Sequence, residues 1–325
     1  MSGREVLLSS GHHMPLLGLG CWQSPADEVA AAVEVALEAG YRHIDTAFLY
    51  LNEDSVGAGL HRYLEKSGTP RDKVFVVTKL PLHGMYAGGV EKFLKKSLEA
   101  LKLSYVDLYL IHLPVGVKGA HDMDTMPKTQ DGMIIIDCST DLIALWKEME
   151  HMVDKGLTKS IGVSNFSVKQ IRKLCAISRI QPAVQQVELH VHFQQREMQE
   201  FCRAQNIVVT AYGPLGSPGR QVEKGMDTLP RLLDDPVVRL VAERHGVSTA
   251  QVLIRFLIQQ GIVAIPKSTN PQRIKVNGEV WSFTLSEMEM AALTSLDKGE
   301  SGRSFTFANF PGMSEHPEFP LPLSS

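Results

Sequence analysis

"YRHIDTAFLYLNE" (residues 41–53) is the stretch on which the fold turns. Its first five residues read as a short buried strand, and that strand closes on an acid, Asp45. Tyr50 follows five positions later, and Asn52 and Glu53 then read as the start of a helix. Strand, polar turn and helix make one βα unit, so the fold depends on whether the chain repeats it.

The same alternation runs on to the end of the chain. Apolar, β-branched runs occur at "VFVVTK" (74–79), "VDLYLIH" (106–112), "SIGVSN" (160–165), "AVQQVE" (183–188), "IVVTAY" (207–212), "IVAIPK" (262–267) and "EVWSF" (279–283), which with "YRHID" makes eight. Helical patterns lie between them. Val90, Phe93, Leu94, Ser97, Leu98 and Leu101 share one face, as do Leu142, Leu145, Trp146, Met149 and Val153. Upstream, "EVLLS" and "MPLLGLG" flank "SGHH" as a hairpin. A helix follows, with Ser24 as its cap, Pro25 at its first position, Asp27 in its first turn and Gly40 at its end.

Strands that are almost continuously apolar and separated by helices pair in parallel, with both faces covered. Eight such units predict an α/β fold, a closed (β/α)8 TIM barrel with an N-terminal β-hairpin, as one domain over residues 1–325. An open doubly wound sheet would carry G-x-G-x-x-G directly after its first strand; here "GLGCWQ" (18–23) precedes that strand and lacks the third glycine. Residues 115–139, 213–233 and the tail from 297 are too long for simple connections, and such loops are usually functional.

Composition narrows the partners. The 325 residues are 44% hydrophobic and 21% charged with a formal net charge of -3, which offers no polyanion-binding signal and argues against nucleic acid. Cys21, Cys138, Cys175 and Cys202 are far apart and lack metal-ligand spacing, so the reading is reduced thiols in a cytoplasmic protein, with no metal. No apolar run is long enough for a membrane span or a secretory leader.

In such barrels the chemistry gathers at the C-terminal ends of the strands. Seven of the eight candidates end in polar groups: Asp45, Lys79, His112, Ser164 with Asn165, Gln186 with Glu188, Tyr212, and Lys267 with Ser268. Each has an ordinary structural explanation taken singly, a snorkelling lysine or a helix cap, but together they are costly to bury unless paired or bound to something. Tyr50, in the loop after its strand, can lean over the same mouth. A phenol titrates near 10 and donates poorly at neutral pH. An adjacent ammonium, Lys79 held charged by Asp45, is expected to lower that value by two to three units, about 3 to 4 kcal/mol. With His112 to orient a carbonyl oxygen, the set reads as a proton-delivery device.

"GLGCWQ", "GYRHIDTAFLYLNEDSVGAGL", "VVTKL", "VDLYLIHLP", "IGVSNF", "PAVQQVELH", "AYGPLG" and "IPKSTNPQRIKVN", in that order over essentially the whole chain, resemble the aldo-keto reductase superfamily. The resemblance implies a barrel that binds NADPH across its strand ends without a Rossmann domain and reduces aldehydes and ketones to alcohols. It implies Tyr50 as general acid, Lys79 and Asp45 as its supporting pair, and His112 as carbonyl orienter. For the cofactor it implies Gly20, Cys21, Trp22 and Asp45, with Ser164, Asn165 and Gln186 on the carboxamide and Tyr212 stacked on the nicotinamide. Gly213, Pro214, Leu215, Gly216 and Ser217 would cover the pyrophosphate, while Ile265, Lys267, Ser268, Thr269, Arg273 and Asn277 would serve the far end, with Lys267, Ser268 and Arg273 on the 2'-phosphate.

Trp22, Tyr50, His112, Leu113 and Phe305 are the expected substrate contacts. Here the chain departs from many relatives: Leu113 and Pro81 stand where tryptophans are common, Cys21 for threonine, Gln185 for asparagine, and Val276 for an acid that reaches adenine. Phe305, Phe307 and Phe310 either roof an apolar substrate or simply pack. The expectation is a monomeric NADPH-dependent carbonyl reductase acting on a small-molecule carbonyl substrate, with no obligate protein partner. Alternatives are a specialised oxosteroid or 3-dehydroecdysteroid reductase and an NADPH-binding regulatory barrel without turnover. A Schiff-base lyase using Lys79 would need an uncharged amine, against which Asp45 argues.

Overall fold

A computed structural model describes residues 4–118, 128–219, 229–307 and 310–321. The stretches 119–127, 220–228, 308–309 and 322–325 of the three long loops lie outside the described residues, as do residues 1–3. An antiparallel hairpin, β1 (Glu5–Leu7) and β2 (His13–Pro15), comes first. Eight parallel strands follow: β3 (Leu19–Gly20), β4 (His43–Asp45), β5 (Phe75–Leu80), β6 (Val106–Ile111), β7 (Thr158–Ser164), β8 (Val184–Glu188), β9 (Val208–Tyr212) and β10 (Val263–Ala264). Each pairs with the next in chain order.

The sheet closes on itself. Leu17 bridges Ala264 and Gly20 bridges Lys267, and the Gly18 N–H donates to the Ala264 carbonyl at 2.9 Å. A Cβ on Gly20 would come 2.8 Å from the Ile265 carbonyl oxygen, so this seam needs glycine. The result is the expected (β/α)8 barrel.

Every residue of β5 and β6 is buried, because one face of each strand fills the barrel and the other lies under helices. The period of two sorts them: Lys79 faces inward to Asp45, whereas Tyr109 faces outward and donates to the Val90 carbonyl of helix Gly89–Leu101. On that helix the six residues predicted to share a face are all buried. The hairpin covers the floor, where the Ser10 and Ser160 hydroxyls meet at 2.7 Å and Met14 is fully buried.

Three expectations need correction. Residues 279–283 form no strand; the carbonyls of Glu279 and Val280 accept from Gln251 and Arg255 of helix Thr249–Ile258, which satisfies that backbone without a sheet. The eighth strand is Leu19–Gly20, inside the stretch read as a hairpin arm, and too short to show any alternation. The strand ending in Asp45 is thus second around the barrel, that of Lys79 third and that leading to His112 fourth. Ser24 likewise does not cap the first helix, which runs Ala26–Glu38 after Pro25; its carbonyl accepts instead from the Asn52 amide at 2.9 Å.

Above the mouth a second apolar cluster joins Leu82, Leu113, Val115, Val117, Ile134 and Met313, with Leu49, Phe307, Phe310 and Phe319 packed against it. It ties the loop after β6 to the C-terminal tail. No helix among the described residues is long and apolar enough to cross a membrane.

Candidate active site

Asp45, Lys79 and His112 stand at or just beyond the C-terminal ends of β4, β5 and β6, and Tyr50 closes the short 3-10 turn Phe48–Tyr50 that follows β4. The structure brings all four together. Lys79 donates to Asp45 Oδ1 at 2.6 Å, to the Thr46 carbonyl at 2.9 Å and to Tyr50 Oη at 3.2 Å. The Tyr50 and His112 rings meet edge to face with centroids 5.7 Å apart.

These bonds fix the charge states. Burial disfavours the charged form of Lys79, but Asp45 and Tyr50 outweigh it and leave its pKa raised, so the ammonium persists. Burial also dominates at Tyr50, pushing the phenol up to about 12 despite the pull of Lys79. The drop expected for that phenol is therefore not present; the group stays protonated at neutral pH, with the Lys79 ammonium 3.2 Å from its oxygen. Burial, and then Lys79, hold His112 well below its ordinary value, so its ring is neutral.

A hydrogen-bond chain carries the site around the barrel. Gln186 Nε2 donates to Asp45 Oδ2 at 2.7 Å, the Ser164 hydroxyl to the Gln186 carbonyl at 2.9 Å, and Asn165 Nδ2 to both Ser164 Oγ and the His112 carbonyl at 3.0 Å. Tyr212 Oη then donates to Asn165 Oδ1 at 2.8 Å. Asn165 adopts a left-handed backbone, φ 61°, which turns its side chain back onto the mouth. Gln186 and Asn165 thus bond to Asp45 and His112 directly, and Ser164 and Tyr212 join through them.

The donor set suits a nicotinamide cofactor. The Ser164 hydroxyl and the Gln186 amide oxygen can still accept from a carboxamide, and Tyr212 supplies a face. Gly213, Gly216 and Ser217 have φ of 61°, 74° and 47°, so the loop that also holds Pro214 and Leu215 curls tightly after β9 and can bring backbone N–H groups close to an anion. Lys267 and Arg273 are exposed cations on either side of Asn270, the cap of helix Pro271–Gly278. Ile265, Ser268 and Asn277 are buried around them, and Thr269 is half-buried. This group lies beyond β10, across the barrel seam from Gly20.

The expected substrate contacts divide. Trp22 is 39% exposed at the mouth, and Phe305 lies edge to face with it at 5.5 Å and with Tyr212 at 5.3 Å. Leu113, in contrast, is only 5% exposed and belongs to the second apolar cluster, as do Phe307 and Phe310. Gln185 points away from the mouth: its amide bonds the Phe166 carbonyl at 2.6 Å, beside Met198 of helix Arg196–Ala204.

Sequence reasoning missed Asn52 and Glu53, which it left as an ordinary helix start. Asn52 is 2% exposed, and its Nδ2 bonds the Cys21 and Ser24 carbonyls at 3.1 and 2.9 Å, pinning the Trp22 loop to the Tyr50 loop. Glu53 is buried and accepts from Thr78, the neighbour of Lys79, at 2.5 Å. Their signal was their place, directly after the Tyr50 turn and before an apolar helix.

The model of the aldo/keto reductase family matches residues 16–298. Aldo-keto reductase family 1 member A1 of Mus musculus is 42% identical over 299 residues, 92% of this chain and 90% of the mouse protein. An aldo/keto reductase of Synechocystis is 41% identical over 305 residues, 94% of this chain and 92% of its own length. The solved structure of the aldose reductase from Schistosoma japonicum superposes with a TM-score of 0.88 at 38% identity, covering 97% of this chain and 98% of its own.

Proposed function

This chain belongs to the aldo/keto reductase family of oxidoreductases, and we propose that it reduces aldehydes and ketones of apolar character to alcohols with NADPH, using Tyr50 as general acid. One observation carries this reading: a half-buried phenol 3.2 Å from a buried ammonium that is itself 2.6 Å from a carboxylate, all at the C-terminal mouth of a barrel.

When bound, the reduced nicotinamide supplies the hydride. The carbonyl oxygen sits within reach of Tyr50 and His112. The neutral His112 ring directs an N–H at that oxygen, and Tyr50 gives it a proton as negative charge develops. A phenol near 12 holds its proton against water at neutral pH but yields it to a more basic alkoxide. The phenolate left behind is stabilised by Lys79, and Asp45 keeps Lys79 in place and charged.

Ser164, Asn165 and Gln186 hold the carboxamide in this reading, and Tyr212 sets which face of the ring meets the substrate. Lys267 and Arg273 favour a 2'-phosphate, so NADPH is preferred to NADH. Trp22 and Phe305 supply an apolar, aromatic wall, in keeping with apolar carbonyl compounds. The test is NADPH consumption across a panel of aldehydes, quinones and oxosteroids. Turnover of apolar aldehydes is expected; an absence of NADPH oxidation with every member overturns the reading.

A further inference from the structure

Glu188 ends β8 two residues beyond Gln186, on the same inward face of the barrel, and its carboxylate bonds to the tail and to His190 rather than to Asp45, Tyr50, Lys79 or His112. It is 1% exposed. Its Oε1 accepts from the Ser304 N–H at 2.7 Å and lies 3.1 Å from His190 Nε2, while Oε2 accepts from the Phe305 N–H at 2.9 Å. Burial pushes this carboxyl up, but His190 and the two amides outweigh it and leave its pKa below the ordinary value. A buried carboxylate committed to the backbone of a tail is an expensive arrangement unless the order it imposes is used.

What it orders is Phe305. That ring stands between Trp22 and Tyr212, in contact with both. The neighbouring stretch of tail is fastened to the turn after β8: the Lys298 N–H donates to the His192 carbonyl at 2.9 Å, the Gln194 N–H to Asp297 Oδ1 at 3.1 Å, and the Arg303 guanidinium lies 4.3 Å from the Phe193 ring centre. The approach is so close that a Cβ on Gly302 would fall 2.0 Å from the His192 carbonyl oxygen. Glu188 sits where this fastened segment reaches the mouth.

We propose that Glu188 is a positioning residue: by gripping the N–H groups of Ser304 and Phe305 it sets the Phe305 ring between Trp22 and Tyr212, and so fixes which carbonyl compounds the mouth admits. The proposal rests on the reductase reading above. Loosening the grip frees the ring and widens the mouth, so bulky ketones gain against small aldehydes. The bonds among Asp45, Tyr50 and Lys79 do not involve Glu188, and the proton-transfer device is left intact.

The test compares Glu188→Gln, Phe305→Ala and the double variant with the unaltered chain. For each, kcat and KM are measured with a small aliphatic aldehyde and a bulky alicyclic ketone at saturating NADPH. Glutamine keeps the volume but turns an N–H2 toward one backbone donor. Both single changes are expected to raise the ketone-to-aldehyde ratio of kcat/KM roughly fivefold or more, and the double variant to match Phe305→Ala, since the two act through one ring. A ratio unmoved by Glu188→Gln while Phe305→Ala shifts it, or effects that multiply in the double variant, would overturn the proposal. Hydrogen exchange in the unaltered chain provides a check that needs no variant: the Ser304 and Phe305 amides should be protected, and exchange at free-peptide rates contradicts the grip. If the unaltered chain reduces nothing, the reductase reading falls and the selectivity claim with it. Turnover with an unmoved ratio overturns the selectivity claim alone.

Discussion

Tyr50 Oη lies 3.2 Å from Lys79 Nζ, at the end of a buried line whose other member is Asp45, 2.6 Å from the same nitrogen. Removing the middle of that line harms both its ends. Lys79→Met leaves the phenol without its ammonium and Asp45 as an uncompensated buried charge. Reduction should fall roughly 10²- to 10⁴-fold, and denaturant unfolding should show a loss of about 3 to 5 kcal/mol. Full activity in a folded Lys79→Met chain would contradict the role given to the lysine.

Arg273 and Lys267 are exposed cations flanking the start of helix Pro271–Gly278, and in the proposed reading they hold the 2'-phosphate. Arg273→Ala should weaken NADPH far more than NADH, by about 10-fold or more for loss of a charge-assisted pair. Fluorescence titration with each cofactor checks this. Equal weakening of both would remove the 2'-phosphate from the account.

Asn52 bonds two carbonyls of the Trp22 loop from within the fold. Asn52→Ala deletes both donors and leaves those carbonyls without that partner, at about 2 kcal/mol or more. The denaturation midpoint should drop, and KM for NADPH should rise as Trp22 loses its register, with a smaller change in kcat. An unaltered KM in a destabilised chain would make Asn52 purely structural.

His43, on the barrel floor below Asp45, is fully buried, and burial lowers its pKa from 6.5 to about 4. Between those values the unfolded chain binds the proton more readily than the folded one, so stability present above pH 6.5 is lost as pH falls toward 4. The loss from this group is about 3 kcal/mol. Unfolding free energies of the unaltered chain and of His43→Gln, which has nothing to titrate, should therefore converge by about that amount on acidification. Parallel curves would show that the ring is not held neutral.

The barrel was legible in the sequence because its βα units repeat and because the segments of β5 and β6 are almost continuously apolar, as strands buried on both faces must be. What escaped was β3, where two residues joined by neighbours distant in sequence carry no pattern of their own, and "EVWSF", whose composition suits a strand but whose carbonyls are met by helix side chains. Asp45, Tyr50, Lys79 and His112 could be found because polar groups at successive strand ends need a reason. The reach of Asn52 to residues 21 and 24, and of Glu188 to 304 and 305, depends on loop geometry, which no spacing rule encodes. Leu113 shows the converse: a position judged from the residue type missing there proved to be covered by the chain's own loop and tail.

Tyr50→Phe tests the central claim most directly, because it removes one hydroxyl and keeps the ring that packs against His112 and Lys79. NADPH binding by fluorescence titration and single-turnover reduction of an aldehyde should be measured on the same sample. Unimpaired NADPH binding with reduction lowered by roughly 10²-fold or more is the predicted result. Reduction at the unaltered rate would contradict Tyr50 as the proton donor.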